Sequence, residues 1–181
     1  MEVGLRRGEA IALKYSDFDP ETGAITVQRN AVIGVDDKPV ITDPKTMTSR
    51  RTVVLSQYCQ QKLLESQKAY KRLRFLKGPD FVDSDCILHT RNGAMMSPHA
   101  LTNKWKSFQR KHGLRKIKLH GLRKTSATNM IMQGMDVKSV ANRLGHKNCD
   151  ITLKIYTAVT NEMKVKNAEK MDEFFAKMAS G

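Results

Sequence analysis

Near its end the sequence reads Leu119-His-Gly-Leu-Arg-Lys-Thr-Ser-Ala-Thr128, a segment that predicts the start of a helix. His120 and Arg123 are three residues apart, so a helix places both side chains on one face. Apolar residues continue at helical spacing until Gly134 ends the run. Backbone N–H groups and the positive end of the helix dipole point out of such a terminus. The segment therefore predicts an anion-binding site.

Two further side chains extend this candidate site along the sequence. His146 lies in the segment Arg143-Leu-Gly-His-Lys147, where the Leu-Gly pair predicts the end of a helix. Tyr156 follows ten residues later. A tyrosine is a possible nucleophile, and arginine and histidine side chains can hold a phosphate while its charge increases. Their order along the chain predicts a site for phosphoryl chemistry.

The composition indicates a single folded domain that binds a polyanion. The chain has 181 residues, of which 40% are hydrophobic, enough for one domain with a core and too many for a disordered chain. Its 32 Lys and Arg against 18 Asp and Glu give a formal net charge of +14. This charge exceeds what the solubility of a small domain requires, and it is typical of proteins that bind nucleic acid.

The cysteines and the hydropathy pattern bear on where the protein works. Cys59, Cys86 and Cys149 are isolated from one another and form no CxxC pair, which predicts reduced thiols. The sequence contains no long apolar run that predicts a membrane span or a signal peptide. We therefore expect a cytoplasmic protein with no membrane partner.

Hydrophobic periodicity and capping residues predict an α+β fold that is mainly helical, with a small three-stranded antiparallel sheet. The predicted strands lie at 24–29, in a hairpin across 32–41, and at 51–55. The predicted helices lie at 4–13, 56–77, 97–112, 119–133, 136–144, 150–158 and 161–178. We expect Leu64 and Phe108 to face the core, and Thr160 to cap a separate last helix.

Five motifs occur in a fixed order along the chain, and together they resemble the catalytic domain of tyrosine recombinases, the phage integrase family. They are Gly4-Leu-Arg6 with Glu9, Lys45 to Leu55, His120-Gly-Leu-Arg123, Leu144-Gly-His146 and Ile155-Tyr-Thr157. Each motif alone is weak evidence, whereas all five in order are a strong signal. Lys124 departs from the pattern, since many relatives carry a histidine at that non-catalytic position.

The resemblance implies a role for each motif residue in cutting and rejoining DNA. Arg6 and Arg123 would hold the non-bridging phosphate oxygens, with Glu9 orienting Arg6. Tyr156 would attack the phosphorus and form a 3′-phosphotyrosine. Because that linkage keeps the energy of the broken bond, we expect no metal, ATP or other cofactor.

The remaining roles concern protons. His120 would accept the phenolic proton or hydrogen-bond the phosphate, and His146 would donate to a phosphate oxygen. Lys45, on a polar loop, would protonate the departing 5′-oxygen. The implied function is site-specific recombination that integrates or excises phage or mobile-element DNA. The implied partners are double-stranded DNA, further copies of the chain in a tetramer on that DNA, and accessory DNA-bending or excision proteins.

Several alternatives remain open at this point. The same chemistry would serve a type IB-like topoisomerase, and a catalytically silent DNA-binding fragment would have the same charge. A zinc site is a weak alternative for the histidines, because no His or Cys pair has metal-ligand spacing. The last helix could dock on a neighbouring subunit or fold back on its own core. By the resemblance, residues 1–181 are a catalytic domain truncated at its N-terminus, without a separate DNA-clamping domain.

Overall fold

The computed structural model of the protein describes residues 2–43, 50–146 and 148–179. Apart from short 3₁₀ turns, these residues form six helices and five strands. In chain order they are α1 (Arg7–Ala12), β1 (Phe18–Asp19), β2 (Ala24–Val27), β3 (Asn30–Ile33), β4 (Pro39–Thr42), β5 (Arg51–Val54), α2 (Gln57–Lys77), α3 (Pro98–Lys111), α4 (Leu119–Met132), α5 (Val137–Leu144) and α6 (Asp150–Ala179). The predicted mainly helical α+β class is confirmed.

Capping residues set where several of these helices begin and end. Ser56, Ser97 and Asp136 each accept a hydrogen bond from a backbone N–H in the first turn of α2, α3 and α5. Gly145 ends α5 in the left-handed conformation, with φ of +69°. These four boundaries lie where the sequence predicts them, because the caps are local interactions.

The small sheet has three antiparallel strands in the order β1-β2-β5. β3 and β4 form a separate two-stranded hairpin, whereas we expected this hairpin to contribute to the three-stranded sheet. Residues 18–19, which lie outside the predicted strands, supply the third strand instead. The hairpin lies against α1, where Gly8 is so close that a Cβ there would be 2.5 Å from the carbonyl oxygen of Ala31.

Two hydrophobic clusters hold the elements that carry the candidate site. One packs beneath the sheet and includes Leu13, Ile25, Val27, Val53 and Leu55. The other joins α4, α5 and α6 and includes Ala127, Ile131, Val140, Leu144 and Val159. Because the last residue of α5 is fully buried in the second cluster, the turn that follows α5 has a fixed position.

The prediction of two helices in the last 32 residues is wrong, since α6 is continuous from Asp150 to Ala179. Thr160 does not cap a new helix. Its hydroxyl donates to the carbonyl oxygens of Tyr156, at 3.0 Å, and Thr157, at 3.1 Å. A threonine that bonds back to the preceding turn lies in a helix interior as readily as at a cap.

Two residues that we expected in the core are exposed. Leu64 lies on the outer side of α2, and Phe108 stacks on Trp105 with ring centroids 5.8 Å apart at the surface of α3. All three cysteines are free thiols, as predicted. None of the helices within the described ranges has the length and apolar character that a membrane span requires.

Candidate active site

The turn at the end of α5 is the centre of the candidate site. A helix leaves its last carbonyl groups without intrahelical partners, and its C-terminal end carries the negative pole of the dipole. Here three consecutive carbonyls, those of residues 143, 144 and 145, each accept a hydrogen bond from an arginine side chain. This turn directly precedes His146.

The three arginines come from three separate parts of the chain. Arg51, the first residue of β5, donates Nε to the first carbonyl at 2.7 Å. Arg123, in the first turns of α4, donates Nη2 to the second at 2.8 Å. Arg6, at the N-terminus of α1, donates Nη2 to the third at 2.8 Å. The turn therefore brings together two motif arginines that are 117 positions apart in the sequence.

Arg123 is buried and fixed from two sides. Its Nη1 donates to the carbonyl oxygen of Gly4 at 2.7 Å, while Nη2 binds the α5 turn. Burial, and next the nearby charge of Arg6, lower the pKa of Arg123 to about 10. The guanidinium remains charged at neutral pH, and two of its five N–H donors are known to be used by these carbonyls.

Glu9 is shared between two of the arginines. It accepts from the Arg6 backbone N–H and Nη1, both at 2.8 Å, and from Arg51 Nη2 at 2.9 Å and Nη1 at 3.3 Å. Its side chain is 5% exposed, that of Arg51 6%, and that of Arg6 40%. Burial raises the pKa of Glu9, but the bonds and charge of Arg51, and then Arg6, hold it below its ordinary value.

Arg51 is the part of this site that the sequence analysis missed. We interpreted it as the first residue of a strand within the Lys45 to Leu55 motif and gave it no role of its own. The alternation within β5 contains a signal, because Arg51 shares its face with Val53, which is buried. An arginine on the buried face of a strand requires a partner for its charge, and Glu9 is that partner.

His146 follows the turn and is held by α6. Its Nδ1 lies 2.8 Å from the hydroxyl oxygen of Thr152, a fully buried residue in the first turn of α6. Burial, followed by the charges of Arg123, Arg6, Arg51 and His120, lowers the pKa of His146 to about 4. At neutral pH the ring is therefore uncharged and has one N–H to donate.

The other predicted residues lie around this centre. His120 is exposed in the first turn of α4, and its charge contributes to the low pKa of His146. Tyr156 is 39% exposed on α6, one turn and about 6 Å along the helix axis from Thr152. Lys45 lies outside the described residues. The structure thus gathers Arg6, Glu9, Arg123 and His146 directly, while the catalytic roles stay a prediction.

A groove of about 1130 Å³ opens beside His120. It runs between the start of α1, α3 and the connection from α3 to α4. Apolar side chains such as Trp105 and Ile117 line it, together with basic ones such as Arg7 and Lys118. The exposed edge of the site therefore continues into a positively charged surface.

Comparison with known proteins identifies the family to which this chain is related. The family model described as "Phage integrase family" matches residues 1–163. The chain belongs to the phage integrase family. The resemblance to tyrosine recombinase catalytic domains drawn from the five motifs is confirmed, and the family match runs from the first residue of the chain into α6, past Tyr156.

Relatives within the phage integrase family include two Xer proteins. The chain is 30% identical to a "Tyrosine recombinase XerC-like" protein of Caldanaerobacter subterraneus subsp. tengcongensis, over 96% of this chain and 47% of the relative. It is 33% identical to tyrosine recombinase XerA of Pyrococcus furiosus, over 87% of this chain and 47% of the relative. The chain therefore spans about half the length of the curated relatives it matches.

Solved structures agree with this family fold. A crystal structure of XerA recombinase matches with a TM-score of 0.66 and 25% identity, over 92% of this chain and 53% of that one. The Tn1549 transposon integrase in complex with a circular intermediate DNA matches with a TM-score of 0.69 and 20% identity, over 90% of this chain and 55% of that one. The second likeness concerns the fold alone.

Proposed function

We propose that the protein cleaves and rejoins DNA strands in site-specific recombination, with Tyr156 as the nucleophile. One observation carries this proposal. Arg6 and Arg123 are anchored to neighbouring carbonyls of a single turn, and the neutral His146 follows that turn directly. Two fixed guanidinium groups and a neutral N–H donor together match the needs of a phosphate whose oxygens gain negative charge during displacement.

In the proposed reaction the Tyr156 oxygen attacks the phosphorus and loses its proton. The new bond joins the tyrosine oxygen to phosphorus, and the bond from phosphorus to the 5′-oxygen breaks. His120 accepts the phenolic proton or hydrogen-bonds the phosphate, and Lys45 supplies a proton to the leaving 5′-oxygen. Attack by the 5′-hydroxyl of a partner strand reverses these steps and releases Tyr156, so the strands are rejoined without ATP or a metal.

Duplex DNA is the proposed substrate, and the distribution of charge supports it. The 50 residues from 86 to 135 contain no Asp or Glu and carry ten Lys or Arg. These are Arg91, Lys104, Lys106, Arg110, Lys111, Arg115, Lys116, Lys118, Arg123 and Lys124. Most belong to α3, to the connection after it and to the start of α4, beside His120. We propose that the surface of α3 and of the connection after it, the basic face, follows the DNA backbone.

Further copies of the chain are the proposed partners on DNA, in a tetramer. The second half of α6 supports this, because Met171, Phe175 and Met178 are each more than half exposed. A helix that folded back on its own core would bury such side chains. Accessory DNA-bending or excision proteins remain part of the proposal.

The proposed activity can be tested with a nicked duplex that traps a covalent intermediate. The protein should form a denaturation-resistant complex with this DNA, and Tyr156→Phe should bind the DNA without forming it. Binding without any covalent complex would favour the catalytically silent alternative. Relaxation of supercoiled DNA by a monomer, with no need for paired sites, would favour the topoisomerase.

A substrate with sulfur in place of the bridging 5′-oxygen separates the proposed roles. The leaving group is then a thiolate whose conjugate acid has a pKa of about 8.5, by analogy with cysteine, so it departs without a general acid. On ordinary DNA, Lys45→Ala should slow cleavage by about 10²- to 10⁴-fold. The sulfur substrate should restore the cleavage rate of Lys45→Ala to near that of the parent, and cleavage by Arg123→Ala should stay slow. The opposite pattern would show that Lys45 is not the general acid.

A further inference from the structure

Arg51 connects two parts of the site that carry different proposed roles. Its Nη1 and Nη2 bind both carboxylate oxygens of Glu9, and its Nε binds the carbonyl of Arg143 on the α5 turn. Gly145 packs directly against it, since a Cβ at that position would lie 2.9 Å from Arg51 Nη1. One guanidinium therefore links α1, from which Arg6 projects, to the turn that leads into His146.

The charges explain what this link does for Arg6. Glu9 alone beside Arg6 would form a one-to-one ion pair and cancel the charge that a phosphate requires. Since Arg51 also binds Glu9, two positive charges share one negative charge, and a net positive charge remains. Glu9 can then orient the 40% exposed Arg6 side chain without neutralising the site.

The geometry explains what the same link does for His146. Arg51 is 6% exposed, so solvent competes little for its hydrogen bonds. The planar fork can bind a carboxylate through two N–H groups while Nε bonds elsewhere, which a lysine cannot do. Both ends of the link are thus fixed by one rigid group.

We propose that Arg51 is a positioning residue for strand cleavage, acting through Glu9 on Arg6 and through the Arg143 carbonyl on the turn that presents His146. This inference rests on the proposed function for its effect on rate. Its effect on His146 can be measured without any reaction. Among the described residues, the charged groups that act on His146 are Arg6 from the start of α1, Arg51 from β5, and Arg123 and His120 from α4.

Three variants test this role. Arg51→Met removes the charge and the fork, and Arg51→Lys keeps the charge without the fork. Arg29→Met is the matched control, because Arg29 forms an ion pair with the buried Asp17 and bonds the Ala12 carbonyl at the far end of α1. The measurements are thermal unfolding, affinity for a nicked duplex, the single-turnover rate of covalent complex formation, and an NMR pH titration of the histidines, with His146→Gln to assign the signal.

Arg51→Met should bind the duplex within about threefold of the parent and form the covalent complex about 10²-fold more slowly, the usual cost of a misplaced reacting group. In the titration the pKa of His146 should rise above about 4, while burial and the charges of Arg123 and Arg6 still hold it below its ordinary value. Arg51→Lys should leave the His146 titration close to that of the parent and still cleave about tenfold more slowly. Arg29→Met should match the parent in both measurements.

The outcomes separate this inference from the proposed function. A parent that forms no covalent complex would contradict the proposed function, and the titration would still show whether the charge of Arg51 acts on His146. A His146 titration unchanged in Arg51→Met overturns the inference, as does a parent-like cleavage rate in that variant. If Arg51→Met does not unfold cooperatively, Arg51→Lys tests the inference instead. A parent-like rate of covalent complex formation in Arg51→Lys would show that cleavage does not require the guanidinium fork.

Discussion

The Nδ1 atom of His146 and the hydroxyl oxygen of Thr152 lie 2.8 Å apart, and this contact joins the α5 turn to α6. Thr152 is fully buried, so the bond is shielded from competing water. Tyr156 follows Thr152 by one helical turn on the same side of α6. The proposed nucleophile is therefore tied to the turn that holds Arg6 and Arg123.

Thr152→Val should weaken this tie while keeping the shape of the side chain. Loss of one hydrogen bond should cost about 1 kcal/mol of unfolding free energy and slow covalent complex formation about tenfold, with DNA affinity unchanged. Thr157→Val is the control, because the Thr157 hydroxyl donates to Leu153 on an exposed part of α6. Urea unfolding and single-turnover cleavage measure both effects. Equal rates for the two variants would contradict the proposed coupling.

The low pKa of His146 predicts how stability depends on pH. The folded state holds this ring neutral down to about pH 4, whereas in the unfolded chain it protonates near its ordinary value of 6.5. Between these values the unfolded state binds more protons, so the free energy of unfolding should fall as the pH drops from 6.5 to 4. His146→Gln should flatten this part of the curve. Parallel curves for parent and variant from pH 7 to 4.5 would exclude the shift.

The sequence predicts the parts of the fold that depend on local interactions. The caps at Ser56, Ser97 and Asp136 and the turn at Gly145 form between neighbours in the chain, so each lies where expected. The motif residues could likewise be chosen from their order. That these residues converge on one turn could not be predicted, because the convergence depends on tertiary contacts such as the hydrogen bond from Arg6 to the Gly145 carbonyl.

Other features of the fold were not predicted, because the local sequence is compatible with two different structures. Asp19 precedes a proline, which favours a turn, yet pairing with β2 makes Phe18 and Asp19 a strand. Thr160 is a good cap, but its bonds to the preceding turn keep α6 continuous. The role of Arg51 could not be predicted, because an arginine at the start of a strand usually lies at the surface. Only the structure shows the buried carboxylate of Glu9 beside it.

The basic face predicts that DNA binding is sensitive to salt. If about six phosphates are contacted, the logarithm of the binding constant should fall with the logarithm of salt at a slope of about −5. Replacing both Lys116 and Lys118 by Gln should reduce the size of that slope by about 2. Replacing the exposed Lys68 and Lys71 of α2 by Gln is the control and should change it little. Affinity that stays flat between low and moderate salt would contradict a nucleic-acid function.

The second half of α6 predicts a separable role in assembly. Its exposed apolar side chains contribute little to the hydrophobic clusters, so deleting residues 161–181 should leave the thermal unfolding transition nearly unchanged. The same deletion should reduce the multimers that form on DNA, as measured by sedimentation of the complexes. A lost thermal transition would indicate that this half of α6 folds back on its own domain.

Mapping of the covalent linkage tests the role of Tyr156 most directly. The protein is incubated with a nicked duplex and denatured, and the DNA-linked peptide is identified by mass spectrometry after proteolysis. We expect a phosphodiester between the Tyr156 oxygen and a 3′-end, with a free 5′-hydroxyl on the released strand. A linkage at another residue, a linkage to a 5′-end, or an adduct that persists in Tyr156→Phe would contradict the proposed mechanism.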